Sequence, residues 1–118
     1  MSQPKPENQI DYIEFPAIDI AATKQFYGSA FGWKFEDYGP DYTSFVDGRL
    51  AGGFTRDLPG PVKTLLVVIY ASDLAAAQRN VESAGGKIVK EIFSFPGGRR
   101  FHFADPNGNE LAVWSDTQ

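Results

Sequence analysis

The sequence predicts an α+β fold made of two βαβββ modules, and three observations carry that prediction. First, the chain matches itself at an offset of 54 residues. Ile13–Phe35 lies over Val67–Val89 with seven of 23 positions identical: Ala17/Ala71, Asp19/Asp73, Ala21/Ala75, Ala22/Ala76, Ser29/Ser83, Ala30/Ala84 and Gly32/Gly86. Second, both copies run strand, helix, then further strands. Third, each copy ends in a hairpin signal. A period of this length in 118 residues means two copies, a paired-module domain and not a solenoid.

The elements follow in order. Residues Met1–Gln9 are mostly polar with two prolines and read as a loose lead-in. A strand over about Gln9–Ile18 ends at Asp19, and its counterpart over about Val62–Ala71 leads to Asp73; Asp is a good helix N-cap. Helices follow over Asp19–Phe31 and Asp73–Ala84. Leu74, Ala77, Val81 and Ala84 recur at helical spacing, and Ile20, Phe26, Tyr27, Ala30 and Phe31 give a wider apolar stripe. Gly32 and Gly85-Gly86 are C-terminal stop signals. Extended segments come next, Trp33–Tyr38 and Lys87–Phe95. The first hairpin, Asp41–Val46 with Leu50–Phe54, turns at Asp47-Gly48. The second, Gly98–Ala104 with Glu110–Ser115, turns through the longer run Asp105–Asn109 (DPNGN), whose spacing does not match a calcium loop. Residues 1–118 thus read as one domain: module one over about 9–54, a Pro/Gly-containing linker over 55–61 and module two over about 62–116.

Composition narrows the function. At 13.0 kDa, with 42% hydrophobic and 22% charged residues, the chain is an ordinary globular protein. Its 11 basic and 15 acidic residues give a net charge of −4, which argues against nucleic-acid and anionic-membrane partners. There is no cysteine, which excludes disulfides, thiolate zinc sites and Cys nucleophiles, and the single histidine, His102, excludes a multi-His metal site within one chain. No run approaches a membrane span and no start reads as a signal peptide, so the expected location is cytoplasmic.

Side chains alternate across a strand, so parity separates the two faces of each sheet. Ile13, Phe15 and Ala17 should face the first helix, and Phe101, Phe103, Leu111 and Val113 should lie under the helices. Tyr12, Glu14, Pro16 and Ile18 should face away, with Leu66, Val68 and Tyr70 as the matching set. Arg100, His102, Ala104, Glu110, Ala112 and Trp114 share the away-facing parity in the last hairpin. That face either meets water or, in a curved sheet, lines a cup.

Three segments carry a family resemblance: Ile13–Trp33 (IEFPAIDIAATKQFYGSAFGW), Leu50–Phe54 (LAGGF) and Phe101–Trp114 (FHFADPNGNELAVW). With FY-x₃-FGW after a strand–Asp–helix start and DPxGN before the last strand, the chain resembles the glyoxalase/bleomycin-resistance/extradiol-dioxygenase superfamily, the vicinal oxygen chelate proteins, from about Gln9 onward. The resemblance implies paired βαβββ modules whose curved mixed sheets enclose a cup-shaped cavity. In active members that cup holds a divalent metal on His, Gln or Glu of the first and last strand of each module. Those positions fall here on Tyr12, Leu66, Ala112 and Gly52 or Gly53, none of which is a usual metal ligand. The resemblance therefore points to metal-free members that bind a small organic molecule, with no cofactor, and members of this size are usually homodimers. Open sheet edges independently favour a partner copy.

The candidate ligand-binding residues are Tyr12, Glu14, Tyr70, Arg100, His102 and Trp114. Glu14 could accept a ligand hydrogen bond or act as a general base; alternatively it is a strand Glu paired with Arg or Lys. His102 could shuttle protons near neutral pH, or be a sheet histidine bonded to a neighbour. Arg100 could hold a carboxylate or phosphate, or sit at the rim. Tyr12, Tyr70 and Trp114 offer aromatic walls for a flat ligand, or plain strand packing. Gly52-Gly53 permits close backbone approach, or a simple bend. The expectation is a metal-free binding protein with Glu14 and His102 pointing into one cavity. The alternative is a lyase, isomerase or other enzyme of the same superfamily using Glu14 and His102 as base and acid, or a metal set not recognised among these residues. A third reading is a dimeric accessory module with an unused cup.

Overall fold

A computed structural model describes residues 5–57 and 64–117. The element order is β1 (Ile10–Pro16), α1 (Ile20–Phe31), β2 (Lys34–Asp37), β3 (Tyr42–Val46), β4 (Ala51–Thr55), β5 (Leu66–Tyr70), α2 (Leu74–Ser83), β6 (Lys87–Phe95), β7 (Gly98–Ala104) and β8 (Glu110–Ser115). The fold is α+β with βαβββ twice, as the internal repeat predicts. Two compact units result, one holding Tyr12–Leu66 and the other the residues up to Asp11 and from Val67 onward.

In the first unit the strand order is β2-β3-β4-β1, with β1 and β4 parallel and the other pairs antiparallel. Asp19 caps α1 by accepting from the Ala22 N–H at 3.0 Å, and Gly32 ends it with φ 73°, a conformation that costs glycine little. The core under α1 is aromatic. Ile20, Phe45 and Phe54 are buried, with Phe15, Ala17, Tyr27, Trp33 and Phe35 packed on them. Trp33 stacks on Phe45 at 4.6 Å and on Tyr27 at 4.7 Å, and Phe15 stacks on Phe54 at 5.0 Å. Such pairs contribute about 0.5–1.5 kcal/mol each beyond area burial. The expected apolar stripe of α1 is only partly buried. Phe26 and Phe31 stay exposed, because the sheet under the helix is filled by Phe45, Phe54 and Trp33.

In the second unit the order is β5-β8-β7-β6, with β5 and β8 parallel. The lead-in is not loose at its end: the Asn8 N–H donates to the Tyr70 carbonyl at 2.9 Å and the Tyr70 N–H to the Gln9 carbonyl at 3.1 Å. Asp73 repeats the cap of Asp19, accepting from the Ala76 N–H at 3.0 Å. This core is aliphatic in the main: Ala71, Leu74, Phe101 and Val113 are buried, with Ile69, Ala77, Val81, Ile88, Ile92 and Phe103 against them.

The strand and helix bounds differ from expectation by a few residues. β1 stops at Pro16, before Ile18; one further bond, from the Ala17 N–H to the Thr55 carbonyl at 2.9 Å, follows before Asp19 caps α1. The first hairpin is longer than an Asp-Gly two-residue turn. Residues 47–50 form the loop, in which the Asp47 carboxylate accepts from the Arg49 and Leu50 N–H groups at 2.9 and 2.7 Å. α2 closes on Ala84 in right-handed geometry, with Gly85 taking the positive φ of 100° one residue later. Of the expected linker over 55–61, Thr55 instead closes β4, and residues 58–61 lie outside the described residues, as do Val62–Lys63 of the expected second-module strand; the described part of that strand is Leu66–Tyr70.

Candidate functional site

The faces turned away from the helices carry the candidate residues, and each unit has its own set. In the unit Tyr12–Leu66, Glu14 is opposite Gly53 in the β1–β4 register, and Gly53 is opposite Ser44 in β3. Tyr42 lies two residues before Ser44 and so shares its face. Glu14 is only 8% exposed, and its Oε2 accepts from the Tyr42 hydroxyl at 3.3 Å. The Tyr42 hydroxyl also forms a short hydrogen bond with the Tyr12 hydroxyl. A Cβ on Gly53 would overlap the tips of both phenols, so the glycine makes the space they fill. Burial, first, and the neighbouring Glu14 carboxylate push the Tyr42 pKa upward, keeping the phenol protonated.

In the other unit, β8 and β7 bring His102 opposite Ala112 and Arg100 opposite Trp114, while Tyr70 is opposite Trp114 on the parallel side. His102 is fully buried. Its Nδ1 lies 2.8 Å from Glu110 Oε2, and its Nε2 has no hydrogen-bond partner among the described residues. Desolvation lowers its pKa, with the Arg100 charge acting in the same direction and the Glu110 hydrogen bond opposing. The neutral ring then donates from Nδ1 to Glu110 and offers Nε2 as an acceptor.

The Arg100 guanidinium lies 5.5 Å from the ring centroids of both Phe93 and Phe95. Trp114 meets Tyr70 edge-on at 5.5 Å, and its Nε1 donates to Asp11 Oδ2 at 2.9 Å. The Tyr70 hydroxyl donates to Asp116 Oδ1 at 2.7 Å, a bond that pushes its pKa up to about 12. The polar tips of both walls are thus committed to carboxylates, and the Tyr70 side chain is buried. In the Asp105–Asn109 turn, Asp105 Oδ1 accepts from the Asn107 and Asn109 N–H groups at 2.8 and 2.9 Å. Its carboxylate is occupied as a turn former.

Sequence reasoning did not single out Tyr42, Glu110 or Phe93. Parity was enough for the first two, since Tyr42 alternates with the buried Thr43 and Phe45, and Glu110 with Leu111. Phe93 was out of reach. Register shifts between Ile88 and Lys90 and between Lys90 and Phe93 break the alternation of β6, so that Lys90 pairs with His102 and Phe93 with Arg100 while Ile88 and Ile92 still reach the core.

The structure also decides between Gly52 and Gly53 as the first module's last-strand position. Ala112 is opposite Val68, the repeat partner of Glu14, and Glu14 is opposite Gly53. Tyr12, Gly53, Leu66 and Ala112 are therefore the four positions at which the resemblance places metal donors. Three carry no donor atom and the fourth is a phenol bonded to Tyr42, so these residues do not fit that metal set. Among the described residues no three His, Asp or Glu side chains converge as a metal site, and no helix is long and apolar enough to cross a membrane.

Paired βαβββ units with this register define a glyoxalase-like protein. The sequence pattern of the Glyoxalase/Bleomycin resistance protein/Dioxygenase superfamily matches residues 9–113, and the chain belongs to that superfamily. It is 36% identical over 124 residues to the anthracycline biosynthesis protein DnrV of Streptomyces peucetius, covering 87% of this chain and 45% of that protein. The chain thus spans less than half the length of the curated relatives it matches. Among solved structures, the Mn(II)-bound glyoxalase of Novosphingobium aromaticivorans superposes with a TM-score of 0.70 at 24% identity, over 94% of this chain and 40% of the other. A superfamily member from Vibrio splendidus 12B01 does so with a TM-score of 0.69 at 14% identity, over 92% and 98%. At these identities the likeness to solved structures concerns the fold.

Proposed function

We propose that the chain binds a small, planar, oxygen-bearing organic molecule on the sheet faces turned away from its helices, without a metal, and works as a cytoplasmic homodimer. The observation that carries this reading is His102, a fully buried imidazole on that face with Nε2 unpartnered among the described residues and Nδ1 held by Glu110. An unsatisfied buried nitrogen is costly, and a ligand hydroxyl donated to it would remove the cost. Trp114 and Phe95, both half-buried, supply ring surface on the same unit, and Arg100 supplies charge. The relatives' role in anthracycline biosynthesis supports a planar, hydroxylated polycycle as the ligand class.

Two facts support the homodimer. The relatives are more than twice as long, with room for two such domains. Ile18 at 92% exposure, with Phe26 and Phe31, leaves apolar surface of the kind a partner covers. A second reading, catalysis by the same residues as a lyase or isomerase, is favoured by the Tyr42–Glu14 hydrogen bond, which gives the face a group able to accept protons.

The test is a titration with 1,8-dihydroxyanthraquinone followed by tryptophan fluorescence, with and without EDTA. Saturable quenching unaffected by EDTA, and weakened roughly tenfold by His102→Ala, is expected. Binding that needs added metal, or that His102→Ala leaves intact, would overturn the reading.

A further inference from the structure

We propose that Asn107 is a site of spontaneous covalent change, converted to aspartate and isoaspartate by attack of the Gly108 nitrogen. Asp105 holds the conversion in check, and the converted turn loosens Glu110 from His102.

The chain has four asparagines, and only Asn107 is followed by glycine. With no side chain on the attacking residue, the Gly108 nitrogen reaches the Asn107 carboxamide more freely than at Asn8, Asn80 or Asn109, where Gln9, Val81 and Glu110 follow. Asn107 is exposed in the turn between β7 and β8, so water is at hand. The bond from the Gly108 nitrogen to Cγ forms as the Cγ–Nδ2 bond breaks, and the Gly108 proton leaves with the amide as ammonia. Water then opens the resulting succinimide. Addition at Cγ restores the normal chain with aspartate at this position. Addition at the backbone carbonyl carbon leaves isoaspartate, with one more carbon in the main chain. No oxidant or reductant enters.

The turn opposes the first step. The Gly108 N–H donates to the Asp105 carbonyl at 3.0 Å, with Pro106 and Asn107 between them. Among the described residues Asn8 is the one non-glycine with positive φ, so Asn107 takes negative φ and the turn is type I, not type II. In a type I turn ψ at this position is about 0°, which sets the Gly108 nitrogen eclipsed with the Asn107 nitrogen. Ring closure needs it eclipsed with Cβ, and reaching that geometry breaks the bond to the Asp105 carbonyl. The Asp105 side chain resists the rotation. Its Oδ1 accepts from the Asn107 and Asn109 N–H groups at 2.8 and 2.9 Å, and its Oδ2 from Asn109 Nδ2 at 3.0 Å. Gly108, at φ 88°, is the residue this turn requires, so the turn carries both a reactive pair and the restraint on it.

The converted turn fits poorly. Isoaspartate lengthens the main chain inside a loop closed by the Asp105 N–H to the Asn109 carbonyl at 2.9 Å, and either product adds a carboxylate near that of Asp105. Glu110, the residue after Asn109, starts β8 and holds His102 Nδ1 at 2.8 Å.

The test follows the tryptic peptide that begins at Phe101 by mass spectrometry, in protein held warm at mildly alkaline pH. Conversion should fall at Asn107 and run roughly tenfold slower in folded protein than in urea. Asp105→Ala should bring the folded rate near the urea rate, while Asp105→Asn, whose side-chain oxygen still accepts, should stay slow. The comparison of folded with urea-unfolded wild type needs no variant and stands even if Asp105→Ala does not fold. His102, the single histidine, reports the consequence through its ring nitrogen-15 shifts. They should change in converted protein and stay put in Asn107→Gln aged in parallel. Equal rates in folded and unfolded protein, no conversion at all in folded protein, conversion beginning at Asn80 or Asn109, or a folded Asp105→Ala that stays slow would overturn the gated site. An unmoved His102 in converted protein would overturn the link to Glu110.

Discussion

The two units share one topology and differ in almost everything that fills it. Both begin with a strand, cap the following helix with Asp at 3.0 Å and pair their first and last strands in parallel. Yet the core of the Tyr12–Leu66 unit is a set of stacked rings, whereas the core of the other is mostly branched aliphatics. Their open faces differ as well. One presents phenols and a carboxylate, Tyr12, Tyr42 and Glu14. The other presents an imidazole, a guanidinium and aromatic walls, His102, Arg100, Trp114 and Tyr70. The same backbone pairing and caps therefore accommodate two different cores and two different sets of side chains on the faces away from the helices.

The sharpest way to break the comparison is in the cores. Phe101→Ala and Phe45→Ala should each cost about 3–5 kcal/mol by urea unfolding, since both rings are buried. The conservative pair separates the units. Phe45→Leu should cost about 1 kcal/mol more than Phe101→Leu, because Phe45 stacks on Trp33 at 4.6 Å whereas Phe101 meets Phe103 only at a tilt and at 6.3 Å. Equal costs would mean that the aromatic core is held by volume alone.

Next come the glycines of β4. A Cβ on Gly52 would overlap the Ile13 carbonyl, which is backbone and cannot swing aside. A Cβ on Gly53 would meet only phenol tips. Gly52→Ala should cost about 2–3 kcal/mol and Gly53→Ala about 1 kcal/mol less, the latter shifting the tyrosine spectrum.

The histidine gives a smaller effect with a definite sign. Burial lowers the His102 pKa from the ordinary 6.5. The unfolded chain then binds the proton more readily, so stability is full above pH 6.5 and falls as pH drops through the folded-state value. The urea midpoint should decline from pH 7.5 to 5.5, and less steeply in His102→Gln. An identical slope in both would assign the acid sensitivity elsewhere.

Smallest are the caps. Asp19→Ala and Asp73→Ala should each cost about 1 kcal/mol, and by the same amount within error, since the two bonds are equal in length.

Much of this was legible in the residues. The repeat and the Asp caps placed both helices within a residue, and parity placed Phe15, Phe101 and Val113 in the cores. Parity also put Glu14 and His102 on faces away from the helices. What escaped were features that depend on three dimensions. Phe93 reached the His102 face through bulges that no periodicity reveals. Tyr42 became significant only because Gly53 clears the space in which its hydroxyl meets that of Tyr12. Phe26 and Phe31 fit the helical stripe and yet stay exposed, since a stripe records which side chains are apolar and not how much sheet lies beneath them.

The central claim is that the faces away from the helices are the binding faces and need no metal. The most direct measurement is a nitrogen-15 amide map of EDTA-treated protein titrated with 1,8-dihydroxyanthraquinone. The account predicts saturating shifts at Tyr12, Glu14 and Gly53 and at Arg100, His102 and Trp114, unchanged when divalent metal is restored. Shifts confined to Ile18, Phe26 and Phe31 on the helix side, or appearing only with metal, would contradict it.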